Sequence, residues 1–131
     1  MTRVGLLFAL AVGLSLVAPA LSADQTRIAT HCSPSGDVCY GVFREQAGLI
    51  HFKLTLAAKY FSRYRICVRP LGQAETCKRF RVRKTGTSAW GGNIVWQRNF
   101  PQRGVRTYKV TWKRGATPLG PSLTFTVPAP V

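Results

Sequence analysis

Acidic side chains are scarce in this sequence, whose 131 residues include four aspartates and glutamates against nineteen lysines and arginines. Histidine is rarer still, with His31 and His51 as its two occurrences. A hydrolytic triad needs a histidine beside a nucleophile and a carboxylate, and glycoside hydrolysis needs paired carboxylates. Neither set is easily assembled from so few residues. We therefore expect no enzyme and predict that both histidines are surface residues.

Motifs for metal ions and cofactors are missing as well. The cysteines are spaced Cys-X6-Cys and Cys-X9-Cys, and the histidines are isolated, which does not match the ligand spacing of zinc sites. The sequence contains no glycine-rich phosphate-binding loop and no nucleophile-elbow motif. We therefore predict that the protein has no metal ion and no organic cofactor.

The first 23 residues have the three-part pattern of a secretory signal peptide. Arg3 supplies a positive charge, an almost unbroken apolar run covers residues 4–18, and small residues follow it. The run is shorter than the roughly 20 residues of a transmembrane helix, and no basic stop-transfer cluster comes after it. We expect cleavage after Ala23, with cleavage after Ala20 as the alternative. The mature protein is then secreted, extracellular and not membrane-spanning.

Residues 24–131 have the alternating pattern of β-strands. In residues 50–56 the apolar side chains occupy every second position, and His51, Lys53 and Thr55 lie between them. Similar segments recur as far as residue 127 and are separated by turns rich in glycine, proline and serine. Seven or eight short strands at this spacing predict a sandwich or a barrel. We favour one all-β domain, a single antiparallel β-sandwich.

All four cysteines lie in this domain, and an even number of cysteines in an exported protein indicates two disulfide bonds. Four cysteines permit three pairings. In the hairpin predicted over residues 63–83, a bond between Cys67 and Cys77 places the apolar residues on one face and the arginines on the other. That agreement favours the local pairing, in which Cys32 is bonded to Cys39.

The outward face of this hairpin is the candidate anion-binding surface. The formal net charge of +15 favours anionic partners in general. Like charges opposite each other destabilise a sheet, and phosphate, sulfate or carboxylate groups would relieve them. The alternative is a solvated face that keeps an edge strand from aggregating. We expect Arg65, Arg79 and Arg81 at the centre of the site. Its predicted residues are Arg63, Arg65, Arg69, Arg79, Arg81 and Arg83.

The three tryptophans fall into two groups. Trp90 lies among small residues, 85–92, that predict a flexible loop, where its ring would stack on a sugar or a base beside the arginines. The alternative is a tryptophan folded over the end of the core. Trp96 and Trp112 share their parity with apolar neighbours, so we predict that both lie in the core.

Residues 104–112 resemble the penultimate strand of immunoglobulin-like and fibronectin-like sandwiches. In that strand a tyrosine follows a glycine turn and precedes a core position by two residues, as Tyr108 precedes Val110 here. Val110 stands where antibody-type domains have a cysteine, and Tyr64 lies on the strand that carries their tryptophan. Residues 25–127 also resemble small secreted single-domain proteins of actinobacteria, most of which have no assigned activity. These resemblances imply an architecture and no catalytic residues.

Two functions remain open on the sequence. The first is a secreted, non-catalytic binding module that docks on an anionic polymer or an anionic envelope surface through its arginine-rich face. Its affinity would fall steeply as the salt concentration rises. The second is a protein-binding domain, such as a hydrolase inhibitor or an envelope adaptor, that uses the disulfide-clipped loops 33–37 and 70–76. We favour the first and expect a monomer.

Overall fold

The structure is a computed structural model that describes residues 25–101 and 104–128. Two packed sheets form a β-sandwich, which confirms the predicted all-β fold. The described part has ten strands where seven or eight were expected, because it includes very short ones such as β9, with two residues. The predicted signal peptide, residues 1–23, lies outside the described residues.

The elements follow one another along the chain with short connections. Their bounds are β1 (Gln25–Cys32), β2 (Val38–Glu45), β3 (Ile50–Leu56), β4 (Arg63–Pro70), β5 (Thr76–Arg81), β6 (Arg83–Gly86), β7 (Ala89–Val95), α1 (Trp96–Asn99), β8 (Thr107–Arg114), β9 (Thr117–Pro118) and β10 (Leu123–Thr126). Within the described ranges, no helix is long and apolar enough to cross a membrane.

The strand order places β4 in the interior of its sheet. The first sheet has the order β1-β2-β3-β7-β6, and the second has the order β10-β8-β4-β5, with β9 paired to β8. Without β1 and β9, these orders correspond to strands A-B-E-D and G-F-C-C′ of immunoglobulin-type sandwiches. All neighbouring strands are antiparallel. Because β4 lies between β5 and β8, its outward side chains have neighbours on both sides.

Aromatic rings fill much of the space between the sheets. The ring of Phe52 meets those of Trp112 and Phe125 edge-on, with centroids 5.9 Å and 5.6 Å apart. Trp96 and Trp112 are each 1% exposed, which confirms that both are core residues. Trp96 nevertheless begins the single helical turn α1, and the strand that its parity predicted ends one residue earlier.

A tyrosine fixes the entry of the chain into β8. The hydroxyl of Tyr108 donates a hydrogen bond to the carbonyl oxygen of Gly104 at 2.7 Å. The same contact, from a tyrosine to backbone a few residues upstream, forms the tyrosine corner of immunoglobulin-type domains. The phenol ring is itself buried in the core and stacks on Phe125 at 5.2 Å. The start of β8 is therefore held both by packing and by a hydrogen bond.

Both predicted disulfide bonds are present, since Cys32 is bonded to Cys39 and Cys67 to Cys77. Each bond joins residues that are directly opposite in an antiparallel pair, the first between β1 and β2 and the second between β4 and β5. The second bond sets Arg65 opposite Arg79, as the sequence predicted. The disulfide therefore fixes which arginines face each other.

Candidate anion-binding site

The outer face of the second sheet carries seven cations from three adjacent strands. Residues directly opposite each other in a sheet point to the same side of it, and the register of β4 with β5 and β8 therefore identifies them. We call this surface the basic face. Its members are Arg63, Arg65, Arg69, Arg79, Arg81, Lys109 and Lys113.

One row of the basic face runs across all three strands. Arg65 on β4 is opposite Arg79 on β5 and Lys113 on β8. Neighbouring strands lie about 5 Å apart, so the three backbone positions span about 10 Å. Arg63 and Arg81 form the next row, two residues along the same strands. Five cations are therefore concentrated at one end of the face.

A neutral row divides this end from the other two cations. Cys67 lies between Cys77 and Thr111, and both Cys67 and Thr111 are buried. The hydroxyl of Thr111 is within hydrogen-bonding distance of the Ser122 hydroxyl, at 2.5 Å, which ties the last loop to the sheet. Beyond this row, Arg69 is opposite Lys109. The predicted centre at Arg65 and Arg79 thus coincides with the larger group of cations.

The basic face has one acidic neighbour among the described residues. Glu75 forms a salt bridge with Lys113, with 3.2 Å between its Oε1 atom and Nζ. No arginine of the face has a carboxylate partner in the described part of the chain. Glu75 also lies 3.1 Å from the Sγ atom of Cys77, but the disulfide bond leaves no thiolate there to hold a metal ion. The charges of the arginines therefore have no acidic partner within the described ranges, with Arg65 half-buried and the other four arginines exposed.

Arg83 does not lie on this hairpin, and its predicted position was wrong. The chain leaves β5 at the buried residue Val82 and crosses to the other sheet, where Arg83 begins β6 and is opposite Gly91. A cleft at the end of the sandwich nevertheless brings Arg83 close to the basic face. We call it the cationic cleft; its volume is about 450 Å³, and its lining is Lys59, Ser62, Arg63, Arg81, Val82 and Arg83.

The expected flexible loop around Trp90 is a hairpin of β6 and β7 instead. Trp90 is opposite Leu56 on β3 and Lys84 on β6, and its half-buried ring packs against the core. The Nζ atom of Lys59 lies 5.5 Å from the centroid of this ring, a cation–π distance. Trp90 therefore supports a wall of the cationic cleft, and stacking of a ligand on its ring stays a prediction.

The prediction that His51 is a surface residue was wrong, because it is 6% exposed. Its Nδ1 atom lies 2.9 Å from Oδ1 of Asn93, and its Nε2 atom is paired with the carboxylate of Glu45. These groups lie on the outer face of the first sheet, on the opposite side of the molecule from the basic face. His31 is half-buried, and its ring is 5.4 Å from that of Tyr40. No sequence motif signalled these contacts, because Asn93 is 42 residues away in the sequence and Glu45 lies across the turn that joins β2 to β3.

The two loops of the alternative function are both ordered by backbone contacts. In loop 33–37 the amide of Gly36 donates to the carbonyl oxygen of Ser33 at 2.8 Å. In loop 70–76 the amide of Leu71 donates to the carbonyl oxygen of Thr107 at 3.1 Å, while the Leu71 side chain is 54% exposed. A single exposed leucine does not make an apolar patch of the size that marks a protein interface.

Tyr64 lies on β4 between two arginines of the basic face and points into the core. Its hydroxyl has no hydrogen-bond partner among the described residues. Burial raises the pKa of Tyr64 from 10.0 to about 12, and the charge of Arg83 offsets part of that increase. The folded state therefore binds the phenolic proton more tightly than the unfolded state does. As the pH rises above 10 this proton is lost first from the unfolded state, so the free energy of unfolding falls.

We expect Tyr64→Phe to remove this loss. At pH 11 the wild type should have lost about 1 kcal/mol of unfolding free energy, relative to neutral pH, through titration of Tyr64, and the variant should lack this loss. At pH 7 the variant should be at least as stable as the wild type, because it no longer buries an unpaired hydroxyl. Urea unfolding at both pH values measures the two differences. An equal alkaline loss in the variant and the wild type would rule out this role for Tyr64.

Comparison of the chain with known protein families, with curated proteins and with solved structures finds no match.

Proposed function

We propose that this protein is a secreted, non-catalytic binding module that docks on an extended anionic polymer through the basic face. The row formed by Arg79, Arg65 and Lys113 carries the proposal. These side chains come from three strands and share one face of the sheet, and the two arginines have no carboxylate partner in the described part of the chain. Such a row can contact several charges of one polymer at the same time.

The energetics of the sheet support an anionic partner. Arginines directly opposite each other repel, and each such pair destabilises a sheet by on the order of 0.2–1 kcal/mol. A bound polyanion neutralises both members of a pair, so binding would relieve this repulsion as well as add new contacts. The Cys67–Cys77 bond and the flanking strands hold the backbone of the row in place. The backbone would therefore lose little conformational entropy when the polymer binds.

The arrangement favours recognition of charge over recognition of sequence. Guanidinium groups match phosphate and sulfate oxygens in geometry, while aromatic stacking is what usually holds bases. The register assigns the outward positions of β4 and β5 to arginines and cysteines, and Tyr64 and Phe80 are opposite each other on the inner side. We therefore expect affinity for sulfated or phosphorylated polymers with little dependence on their sequence.

Export and the absence of catalysis belong to the same proposal. Two disulfide bonds are typical of proteins in oxidising compartments outside the cytosol. The contacts of His51 with Glu45 and Asn93 engage both of its ring nitrogens, and neither contact is with a nucleophile. A monomer with five cations concentrated at one end of the basic face would adhere to polymers rich in phosphate or sulfate at the cell surface.

Salt-dependent binding to heparin and to single-stranded DNA tests the proposal. The variant Arg65→Gln/Arg79→Gln removes two cations from the row, and Arg27→Gln/Arg98→Gln removes two exposed cations that lie outside the basic face. For DNA, the slope of log affinity against log salt should decrease by about 1.4 in the first variant, since each lost phosphate contact is worth about 0.7. At fixed moderate salt its affinity should fall by tenfold or more, on the order of 1 kcal/mol per cation.

The control variant separates a local site from diffuse charge. It should keep nearly the full salt slope and the affinity of the wild type. Equal losses in the two variants would mean that the charge acts as a whole and that the basic face is not the site. Binding to vesicles of anionic lipid in the absence of any binding to heparin or DNA would replace the polymer with a membrane surface. Unfolding curves of both variants exclude loss of the fold as the cause.

A further inference from the structure

The cationic cleft differs from the basic face in the way that it arranges its charges. Lys59, Arg63, Arg81 and Arg83 line one cavity of about 450 Å³, and its lining contains no acidic residue. On the basic face the cations form a row across three strands, whereas these four line a single open cleft. Ser62, a neutral residue, belongs to the same lining.

The crossing of the chain from one sheet to the other builds this cleft. Arg63 and Arg81 are the last opposite pair of β4 and β5. Beyond them the amide of Val82 donates to the carbonyl oxygen of Ser62 at 2.9 Å, and this bond holds the crossing segment against the start of β4. Arg83 then begins β6 in the first sheet, where it is opposite Gly91. The fourth cation, Lys59, lies over the ring of Trp90.

We propose that the cationic cleft binds one tetrahedral oxyanion group, the phosphate monoester at the end of an anionic polymer. The subsite presupposes the proposed function, because it would anchor one terminal group of the polymer that lies along the basic face. Arg63 and Arg81 belong to both surfaces and connect them. The polymer would thus enter the row at Arg65 and Arg79 and end in the cleft.

Charge is the first reason for this choice of ligand. Four cations around one cavity favour a compact group that carries about two negative charges, and a phosphate monoester carries about −1.5 to −2 at pH 7. A phosphodiester inside a polymer carries one charge. Guanidinium groups bind such oxygens as two-pronged donors, and three arginines provide more donors than one tetrahedral group can accept.

Size is the second reason. A cavity of about 450 Å³ lies in the range of about 300–1,000 Å³ that is usual for small-molecule sites, so it can hold the oxyanion together with the unit that bears it. A smaller groove of about 290 Å³ lies beside the Cys32–Cys39 bond on the other sheet and has Arg27 and Lys53 as its two cations. A second hollow of about 210 Å³ on the basic face has three arginines. The cationic cleft combines the largest of these volumes with the most charge.

The first test measures the free ion. Binding of inorganic phosphate and inorganic sulfate is measured by calorimetry at constant ionic strength, with dimethyl phosphate as the singly charged probe. The variant Lys59→Gln/Arg83→Gln changes two cations of the cleft that are not members of the basic face. The matched control is Arg27→Gln/Arg98→Gln, which removes two exposed cations outside both surfaces. We expect the cleft variant to lose tenfold or more of the affinity for both inorganic ions. The control should bind them as the wild type does, and dimethyl phosphate should bind most weakly.

The second test asks whether the group is recognised on a polymer. A single-stranded oligonucleotide with a 5′-phosphate is compared with the same oligonucleotide ending in a hydroxyl. The phosphorylated form should bind the wild type several-fold more tightly, and the difference should vanish in the cleft variant and persist in the control. If the inorganic ions bind in the cleft but the two oligonucleotides bind equally, the site is for a free ion and the polymer-end assignment is wrong.

The two tests distinguish failure of the cleft from failure of the basic face. Inorganic phosphate that binds the wild type and the cleft variant equally, or binds neither, would overturn the subsite. The proposed function would still stand if heparin affinity depended on Arg65 and Arg79. The converse result is that the cleft variant loses phosphate binding while heparin binding does not depend on Arg65 and Arg79. It would contradict the proposed function and the binding of a polymer end, and the cleft would remain a site for a free anion.

Discussion

Replacement of Gly91 by alanine is expected to abolish the cooperative unfolding transition. Gly91 lies on β7 with a φ of +139°, a backbone conformation that side-chain-bearing residues rarely adopt. A Cβ atom there would lie 1.8 Å from the carbonyl oxygen of Leu54 and 2.6 Å from its carbonyl carbon. Because both are backbone atoms of the neighbouring strand β3, no side-chain rotation can make room. We expect a loss of more than about 4 kcal/mol of unfolding free energy, a large part of the stability of a small domain.

Gly36→Ala is the matched control for this change. Gly36 has a φ of +77°, and a Cβ atom added to it would meet nothing within 4 Å. The control therefore introduces backbone strain without a collision and should cost about 1–2 kcal/mol. Circular dichroism and urea unfolding compare the two variants. A cooperative Gly91→Ala protein with no greater loss than Gly36→Ala would show that β3 and β7 can separate locally.

Loss of the Cys67–Cys77 bond is expected to be the second largest effect. The bond closes a segment with a sequence separation of 10 residues, and in the chain-entropy model its removal costs about 3 kcal/mol. Cys67 is also 1% exposed, so a Cys67→Ala/Cys77→Ala variant loses packing of the buried sulfur as well. Urea unfolding under non-reducing conditions measures the total.

Removal of the other disulfide bond separates these two contributions. The Cys32–Cys39 bond has a sequence separation of 7 residues, so its entropic effect is nearly the same, but Cys32 is exposed and Cys39 is half-buried. We expect Cys32→Ala/Cys39→Ala to lose less stability than the Cys67→Ala/Cys77→Ala variant. Equal losses would contradict a packing contribution from Cys67, and a larger loss would show that β1 depends on its disulfide bond.

The register of β4 with β5 was predictable because it depends only on residues that are close in the sequence. The two strands are joined by a short turn, and a cysteine on each fixes the offset. Alternation then assigns each side chain to a face, since a shift by one residue would turn every apolar residue towards solvent. Arg65 and Arg79 could therefore be placed opposite each other without knowledge of any other strand.

The contribution of β8 to the basic face could not be predicted in the same way. Lys109 and Lys113 alternate with Tyr108, Val110 and Trp112, so their outward direction is readable from the sequence. The partner of β8 is not readable, because β8 pairs with a strand about 40 residues earlier in the chain. Alternation indicates a face of a sheet, but it does not indicate which strands are neighbours in that sheet.

The crossing of the chain at Val82 explains the error at Arg83. Parity continues unbroken from Phe80 through Val82, so the alternation gives no sign that β5 ends and that the next strand joins the other sheet. A buried valine satisfies the pattern equally well inside a strand or between two sheets. The burial of His51 has a related cause, since its partners Glu45 and Asn93 come from the two strands that flank β3.

The all-β class, the inward and outward sets of residues and the excess of positive charge can be read from the amino-acid sequence, and strand alternation favoured the local pairing of the cysteines. These features depend on composition, on the period of two in a strand and on contacts close in the chain. Which cations share a surface depends instead on the packing of strands that are distant in the sequence. Lys113 joins Arg65 through the pairing of β8 with β4, and Arg83 joins Arg63 through the meeting of two sheets at the cationic cleft. Both arrangements follow from the packing of the whole domain, which no local pattern encodes.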